Sequence, residues 1–182
     1  MKIFAETERL ILREIVATDE DGLFKLDSNP NVARYVGNSP VKHIDEIRNV
    51  FAHIRKQYIE NGIGRWAVIE KATQEFIGWC GIKLIKETTN NHINYYDIGY
   101  RFREEYWGNG YATEAAKSAI SYGFNQLKLG HIYACADIEN IASQNVLKKC
   151  GLTQGEVFIY DKNKNYWFQL AKADWAGMKD NI

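Results

Sequence analysis

The 182-residue chain predicts a mixed α/β domain, with an antiparallel meander in its first half and one β-α-β crossover in its second. Three observations carry that prediction. The apolar and aromatic runs "RWAVIE" (65–70), "EFIGWCGIKLI" (75–85) and "INYYDIGYRF" (93–102) follow one another across the short polar connections "KATQ" and "KETTNNH". Connections of that length join antiparallel neighbours, because parallel strands need a crossover. Beyond residue 110 the period changes, and two helical stretches flank the strand-like "HIYACAD" (131–137). Finally, 182 residues at 46% hydrophobic and 25% charged suffice for one sizeable core and are short for two, so residues 1–182 are read as a single domain.

Taken in order, "ERLILREIV" (8–16) alternates apolar and charged positions as a strand does, and "ATDEDG" follows it as turn and helix start. Thr18 or Asp19 caps a short helix running to Leu26. Ile44, Ile47, Phe51, Ile54 and Tyr58 recur at helical spacing over 44–59, and "ENGIG" ends that helix. After the three meander strands a helix runs from about Gly110 to Leu127. "HIYACAD" is then a strand and "NIASQNVLKKC" (140–150) a helix, with Gly151 suited to its left-handed end. "EVFIYD" (156–161) and "NYWFQLA" (165–171) close the chain as two strands around a "KNK" turn. The predicted order is β-αα-βββ-α-β-α-ββ, about seven strands and four helices.

Charge and cysteine usage remove several function classes. Basic and acidic residues balance at 23 each, so no global field draws nucleic acid or a membrane surface. No apolar run approaches membrane-spanning length, and "MKIFAETERL" lacks the apolar core of a signal peptide. Cys80, Cys135 and Cys150 are odd in number and far apart, which fits reduced thiols and a cytoplasmic location. The four histidines are equally scattered, so no metal is expected.

The stretch "EEYWGNGYATEAAKSA" (104–119) carries the strongest chemical signal. Ala112, Ala115, Ala116, Ala119, Ile120, Phe124 and Leu127 fall on one helical face, whose small first half allows close approach to a sheet. Ahead of it Gly108 and Gly110 leave backbone N–H groups uncovered where a helix N-terminus has unpaired donors, a seat suited to pyrophosphate. A nucleoside-triphosphate P-loop is excluded, because its Lys-Ser/Thr pair is missing. A dinucleotide fingerprint fits poorly, since Thr113 stands at its third glycine and the preceding strands are antiparallel. A plain strand-to-helix turn explains the glycines equally well.

Longer strings decide between these. "DIGYRFREEYWGNGYATEAAKSAISYGFNQLKL" followed by "ADIENIASQNVLKKCGLTQGE" resembles the GNAT N-acetyltransferases, and in particular their RimJ/RimL-like branch, which acetylates protein N-termini and other small amines. "ETERLILRE" and "NPNVARYVG" look like that branch's opening, so the resemblance spans essentially the whole chain. It implies the GNAT fold, a twisted and mostly antiparallel sheet, with acetyl-CoA as cosubstrate and an amine as acceptor. It implies neither a metal nor a nucleic-acid or membrane partner, and it is compatible with a homodimer. The superfamily's pyrophosphate loop falls on Trp107, Gly108, Asn109, Gly110, Tyr111 and Ala112, with Trp107 where many members carry Arg or Gln. Backbone N–H groups from Gly108 to Thr113 are then the implied pyrophosphate donors, and Phe102 and Arg103 lead into that loop at the end of the strand.

The resemblance also distributes the chemistry. Acetyl transfer requires a gripped donor, a polarised carbonyl, a neutral amine and a proton for the leaving thiolate. Asp97 is the base candidate, against the simpler reading of a cross-strand charge; Glu156 is the reserve, against a solvent-facing strand residue. Ser143 is the residue implied to protonate or hydrogen-bond the thiolate, against an ordinary first-turn serine. Many members use a tyrosine four residues before the glycine, and here that position is Leu147. Asn140 caps a helix and in the family also binds the pantetheine arm. Carbonyl polarisation falls to a backbone N–H on the Asp97–Phe102 strand. Lys148 and Lys149 are candidates for the coenzyme's 3′-phosphate, against a solvated helix face. Arg34, Tyr35, Trp66 and Trp167 are candidate linings of the acceptor pocket, with core packing the better account of both tryptophans. Related sequences carry an aspartate before the last strand where this chain has Tyr166-Trp167-Phe168, so that carboxylate is missing. The expected reaction is direct transfer to a primary amine, foremost a protein N-terminal α-amine. The alternatives are a polyamine or aminoglycoside acceptor, or an acyl-CoA-binding module without catalysis.

Overall fold

In the computed structural model, which describes residues 1–179, the first strand-like stretch (8–16) supplies β2 (Leu10–Arg13), and an unpredicted strand β1 (Ile3–Glu6) precedes it and pairs with it as a hairpin. Thr7 makes the turn: its hydroxyl accepts the Leu10 N–H at 3.0 Å, the local bond that draws Thr out of regular strands. A 3₁₀ turn over Ala17–Asp19 precedes α1 (Glu20–Asp27). Asp19 sits at the predicted cap position but makes no side-chain cap bond to α1. Its carboxylate instead accepts from both Arg13 guanidinium arms at 2.7 Å and from the Val16 N–H at 2.9 Å. Asn29 and Pro30 start an additional short helix, α2 (Pro30–Ala33), the Asn29 side chain capping it and the proline filling its first position. Helix α3 (Ile44–Asn61) ends on Gly62 in the left-handed conformation.

The meander is β3 (Trp66–Glu70), β4 (Phe76–Ile85) and β5 (Tyr95–Phe102). The crossover then runs through α4 (Tyr111–Asn125) to β6 (His131–Asp137). It is followed by α5 (Ile141–Lys149), with Gly151 at φ 89° just past its end. The last hairpin is β7 (Thr153–Tyr160) and β8 (Asn163–Ala171), and α6 (Lys172–Lys179) follows without a break. The sheet thus has eight strands, and six α-helices occur among the described residues, against seven and four expected. The excess lies in short or unpunctuated elements: the four-residue β1, the one-turn α2, and α6 abutting β8. The closing turn is not "KNK" but Asp161-Lys162, both at positive φ, the two-residue geometry that matches strand twist.

The sheet order is β1-β2-β3-β4-β5-β6-β8-β7. Every pairing is antiparallel except β5–β6, which is parallel and made through a single residue pair, Asp97 with Tyr133. Past that pair the two strands part, and the gap between them is the central feature of the molecule. Ala115, Ala116 and Ala119 of α4, all fully buried, let that helix lie close over Cys80, Ile82 and Ile98 on one face. Leu23, Leu26, Ile47 and Ile54 of α1 and α3 cover Ala67, Ile69 and Phe76 on the other. Successive β5 side chains alternate between these faces. Ile98, Tyr100 and Phe102 belong to the α4 side, and Asp97, Gly99 and Arg101 to the α1–α3 side.

Candidate active site

The glycine loop enters α4 in the geometry that its residues demand. Gly108 (φ 78°) and Gly110 (φ 81°) are both left-handed, and Gly110 occupies the N-cap with no side-chain cap bond. A Cβ at Gly108 would meet nothing within 4 Å, so the loop is open on its outer side. The first-turn N–H groups of a fifteen-residue helix, with its positive dipole end, are thus presented unscreened. Arg9 braces the loop from the N-terminal hairpin. Its guanidinium donates to the Asn109 carbonyl at 3.0 Å and to Glu114 at 2.7 Å, and it lies 4.4 Å over the Tyr111 ring. Burial pushes the Glu114 carboxyl up, but hydrogen bonds from Thr7 and Arg9 outweigh it and hold the group below its ordinary value. Trp107 is half exposed, with its indole N–H donated to the Phe102 carbonyl at 2.8 Å. Arg103 turns away from the loop: its N–H binds Ile77 O at 2.9 Å and its guanidinium reaches Phe76 O and Glu105.

The gap between β5 and β6 holds a cleft of about 340 Å³. Asn140, Ser143 and Leu147 line it from α5, and Asp97 and Tyr100 from β5. Asn140 Oδ1 accepts the Ser143 N–H at 3.1 Å, the expected cap bond. The Tyr100 hydroxyl donates to the Ser143 carbonyl at 2.9 Å and lies 3.1 Å from Ser143 Oγ. Burial pushes the Tyr100 phenol far above its ordinary value, so it stays protonated. Leu147, where many members carry a tyrosine, is buried. A phenol does reach Ser143, but from β5. Tyr100 was missed in the sequence because it lies one strand away; its place in the period-two pattern with Ile98 and Phe102 is the signal that could have found it.

Asp97 stands at the vertex of the gap with its carboxylate paired to Arg65. Arg65 also donates to the Gly81 carbonyl at 2.5 Å and the Asp97 carbonyl at 2.8 Å, stitching β3, β4 and β5 together. It occupies the space over Gly99, where a Cβ would meet Arg65 Nη2 at 2.5 Å. Arg65 and Arg101 both lie over the Trp79 ring, and Arg101 pairs with Asp27 at 2.5 Å. On the same side, Arg34, Tyr35, Asp137, Glu139 and Asp161 line a second, polar depression of about 540 Å³ that shares Tyr35, Asp137 and Asp161 with the cleft.

The remaining candidates lie elsewhere. Trp66 is fully buried, stacked on Phe4 at 4.5 Å, and Trp167 is buried and stacked on His92 at 4.8 Å; neither lines the cleft, because both side chains complete hydrophobic layers. Glu156 is exposed and bound by the Asn90 side chain at 2.6 Å. Lys148 and Lys149 are exposed in the last turn of α5. All three cysteines are free. Burial pushes Cys135, the one lining the cleft among the described residues, up to about 12 and Cys150 to about 11, with Cys80 higher still. Among the described residues, no group of three or more His, Cys, Asp or Glu side chains could hold a metal ion, and no helix is long and apolar enough to cross a membrane.

Comparison with known proteins agrees with this geometry. The acetyltransferase (GNAT) domain family matches residues 9–153. The chain is 33% identical over 177 residues to the uncharacterized N-acetyltransferase p20 of Bacillus licheniformis, covering 94% of this chain and 97% of that one. It is 29% identical to the spermidine N(1)-acetyltransferase of Escherichia coli K12, covering 80% of this chain and 74% of that protein. A GNAT-family acetyltransferase structure from Bacillus anthracis superimposes with a TM-score of 0.77 at 26% identity, covering 95% of this chain and 99% of the other. An open helix N-terminus and a parted pair of strands, on a chain that matches the domain across residues 9–153, identify this protein as a member of the GNAT family of N-acetyltransferases.

Proposed function

We propose that the protein transfers an acetyl group directly from acetyl-CoA to a primary amine, with a protein N-terminal α-amine as its preferred acceptor, in the manner of the RimJ/RimL-like branch. The observation that carries the reading is the uncapped N-terminus of α4 together with a cleft, lined by Ser143 of the adjoining α5, where β5 and β6 part. Backbone N–H groups of Gly108–Thr113, with Trp107, Asn109, Tyr111 and Ala112 shaping the loop, hold the pyrophosphate. Phe102 and Arg103 contribute by anchoring the loop's start through the Trp107 and Ile77 bonds. The side-chain amide of Asn140 retains donors for the pantetheine arm after capping α5. Backbone N–H groups of β5 that face the gap polarise the thioester carbonyl. Ser143, oriented by the protonated Tyr100, delivers a proton or hydrogen bond to the departing thiolate. Protonated thiols are poor nucleophiles, which supports direct transfer over a cysteine intermediate.

The acceptor preference follows from the base. Asp97 is the candidate to receive the acceptor's proton, but one carboxylate oxygen already holds Arg65, so the transfer passes through water or the free oxygen. An acceptor that arrives neutral suits this site. Deprotonating an α-amine of pKa about 7.7–8.0 at pH 7 costs about 1–1.5 kcal/mol, against about 4–5 kcal/mol for a lysine-like amine. A polyamine acceptor is the second reading, favoured by Asp137, Glu139 and Asp161 around the mouth and by the likeness to the spermidine enzyme. Thiol release from acetyl-CoA, measured over peptides of varied N-terminal residue, spermidine and an aminoglycoside, tests both. Turnover of peptides, rising with pH through the α-amine range, is the expected result. Preference for spermidine moves the assignment to the second reading, and tight acetyl-CoA binding without release from any amine overturns both.

A further inference from the structure

We propose that Lys83 is an acetylation site of the protein's own cleft, its Nζ accepting the acetyl group when no better amine is present. The inference rests on the acetyl transfer proposed above.

Lys83 pairs across the sheet with Asp97, so its side chain lies on the α1–α3 face with Asp97 and Gly99. Neighbouring strands are about 4.8 Å apart and a lysine stem carries four methylenes, so Nζ can cross β5 to the gap. Lys83 lines the same cleft as Ser143, and it is the only lysine to do so among the described residues. The charged and titratable groups that act on it most are Arg65, just ahead of β3, Asp97 of β5, Glu87 of the β4–β5 connection and Cys135 of β6. The nearest carboxylate, Asp97, is already committed to Arg65. Burial, and then Arg65, lower the Lys83 pKa more than Asp97 and Glu87 raise it, so more of this amine is neutral than of a surface lysine.

The step balances without a further reagent. The Nζ lone pair attacks the thioester carbonyl carbon; the N–C amide bond forms as the C–S bond breaks and its electron pair leaves on sulfur. The proton lost by Nζ balances the thiolate, giving acetyl-lysine and free CoA thiol.

The test incubates the full chain with acetyl-CoA and no added amine, and follows each lysine by peptide mass spectrometry at two protein concentrations. A parallel reaction with peptides and spermidine monitors thiol release. Lys83 is expected to acetylate at least tenfold faster than the exposed Lys148, at a rate independent of protein concentration. Its rate levels off with pH below the ordinary lysine value of 10.5. Excess CoA or Ser143→Ala is expected to slow Lys83 at least tenfold and leave Lys148 unchanged, and in urea the two lysines converge. Lys83 unmodified, or no faster than Lys148, while an added amine turns over overturns this inference alone. Neither Lys83 nor any added amine acetylated overturns it together with the proposed transfer.

Discussion

At Ser143 one hydroxyl is held between two elements: Asn140 fixes the backbone N–H from within α5, and Tyr100 reaches across from β5 to the carbonyl and to Oγ. A proton donor positioned in this way contributes on the order of a hundredfold or more to a transfer step. Ser143→Ala is therefore expected to lower kcat about a hundredfold with the KM for acetyl-CoA nearly unchanged. Tyr100→Phe removes both of these contacts; loss of the one to Oγ, about 1 kcal/mol, is expected to lower kcat about fivefold. Steady-state kinetics on the best acceptor decide both; an unaltered kcat in Ser143→Ala removes its assigned role. Gly99 makes a different kind of demand. Its missing Cβ is the space into which the Arg65 guanidinium fits. Gly99→Ala is expected to displace Arg65 from Asp97 and lower kcat, whereas an unchanged kcat would leave the pair without a part in turnover. Neither Tyr100 nor Arg65 was legible as a site residue. Each acts through a contact across strands, and a linear pattern reports which face a strand residue occupies but not its neighbour.

Elements with strong local signals were legible. The glycine loop, the alanine-faced α4 and the Asn140 cap of α5 each rest on contacts within a few residues, and the structure has them within one or two positions of their predicted bounds. The first hairpin was not, because β1 has only four residues and lies ahead of the alternating run 8–16, with no glycine, proline or asparagine to mark its Thr7 turn. Nor was α6, which follows β8 with no glycine or proline to separate them. Two substitutions separate the loop proposed to hold the coenzyme from a side chain that holds the fold. Gly110→Pro imposes a negative φ where 81° is required, and it is expected to weaken acetyl-CoA binding by calorimetry while the rest of the domain stays folded. Trp66→Ala empties a fully buried site against Phe4 and Tyr122 and is expected to cost about 3–5 kcal/mol in denaturant unfolding. A Trp66→Ala protein of normal stability with a raised acceptor KM would return that residue to the pocket.

For the whole molecule, the sheet separates the groups of the proposed reaction between its faces. The α4 side carries the open helix terminus, Tyr100 and α5; the α1–α3 side carries Asp97, Arg65, Arg101 and the polar depression around Arg34, Asp137, Glu139 and Asp161. The cleft where β5 and β6 part takes residues from both, and in the proposed reaction the donor comes from the first side and the acceptor from the second. That separation predicts separable kinetics. Asp161→Asn keeps a residue tolerant of the left-handed turn position while removing one negative charge from the acceptor mouth. An exposed charge about 4 Å from an ammonium is worth roughly 1 kcal/mol in water. The substitution is expected to raise the KM of a cationic acceptor about fivefold and to leave that of acetyl-CoA unchanged. The difference should shrink as added salt screens the pair. A shift in the acetyl-CoA KM of equal size would mean that the two faces do not divide donor from acceptor, because the β7–β8 turn would then be part of the coenzyme's path rather than the amine's.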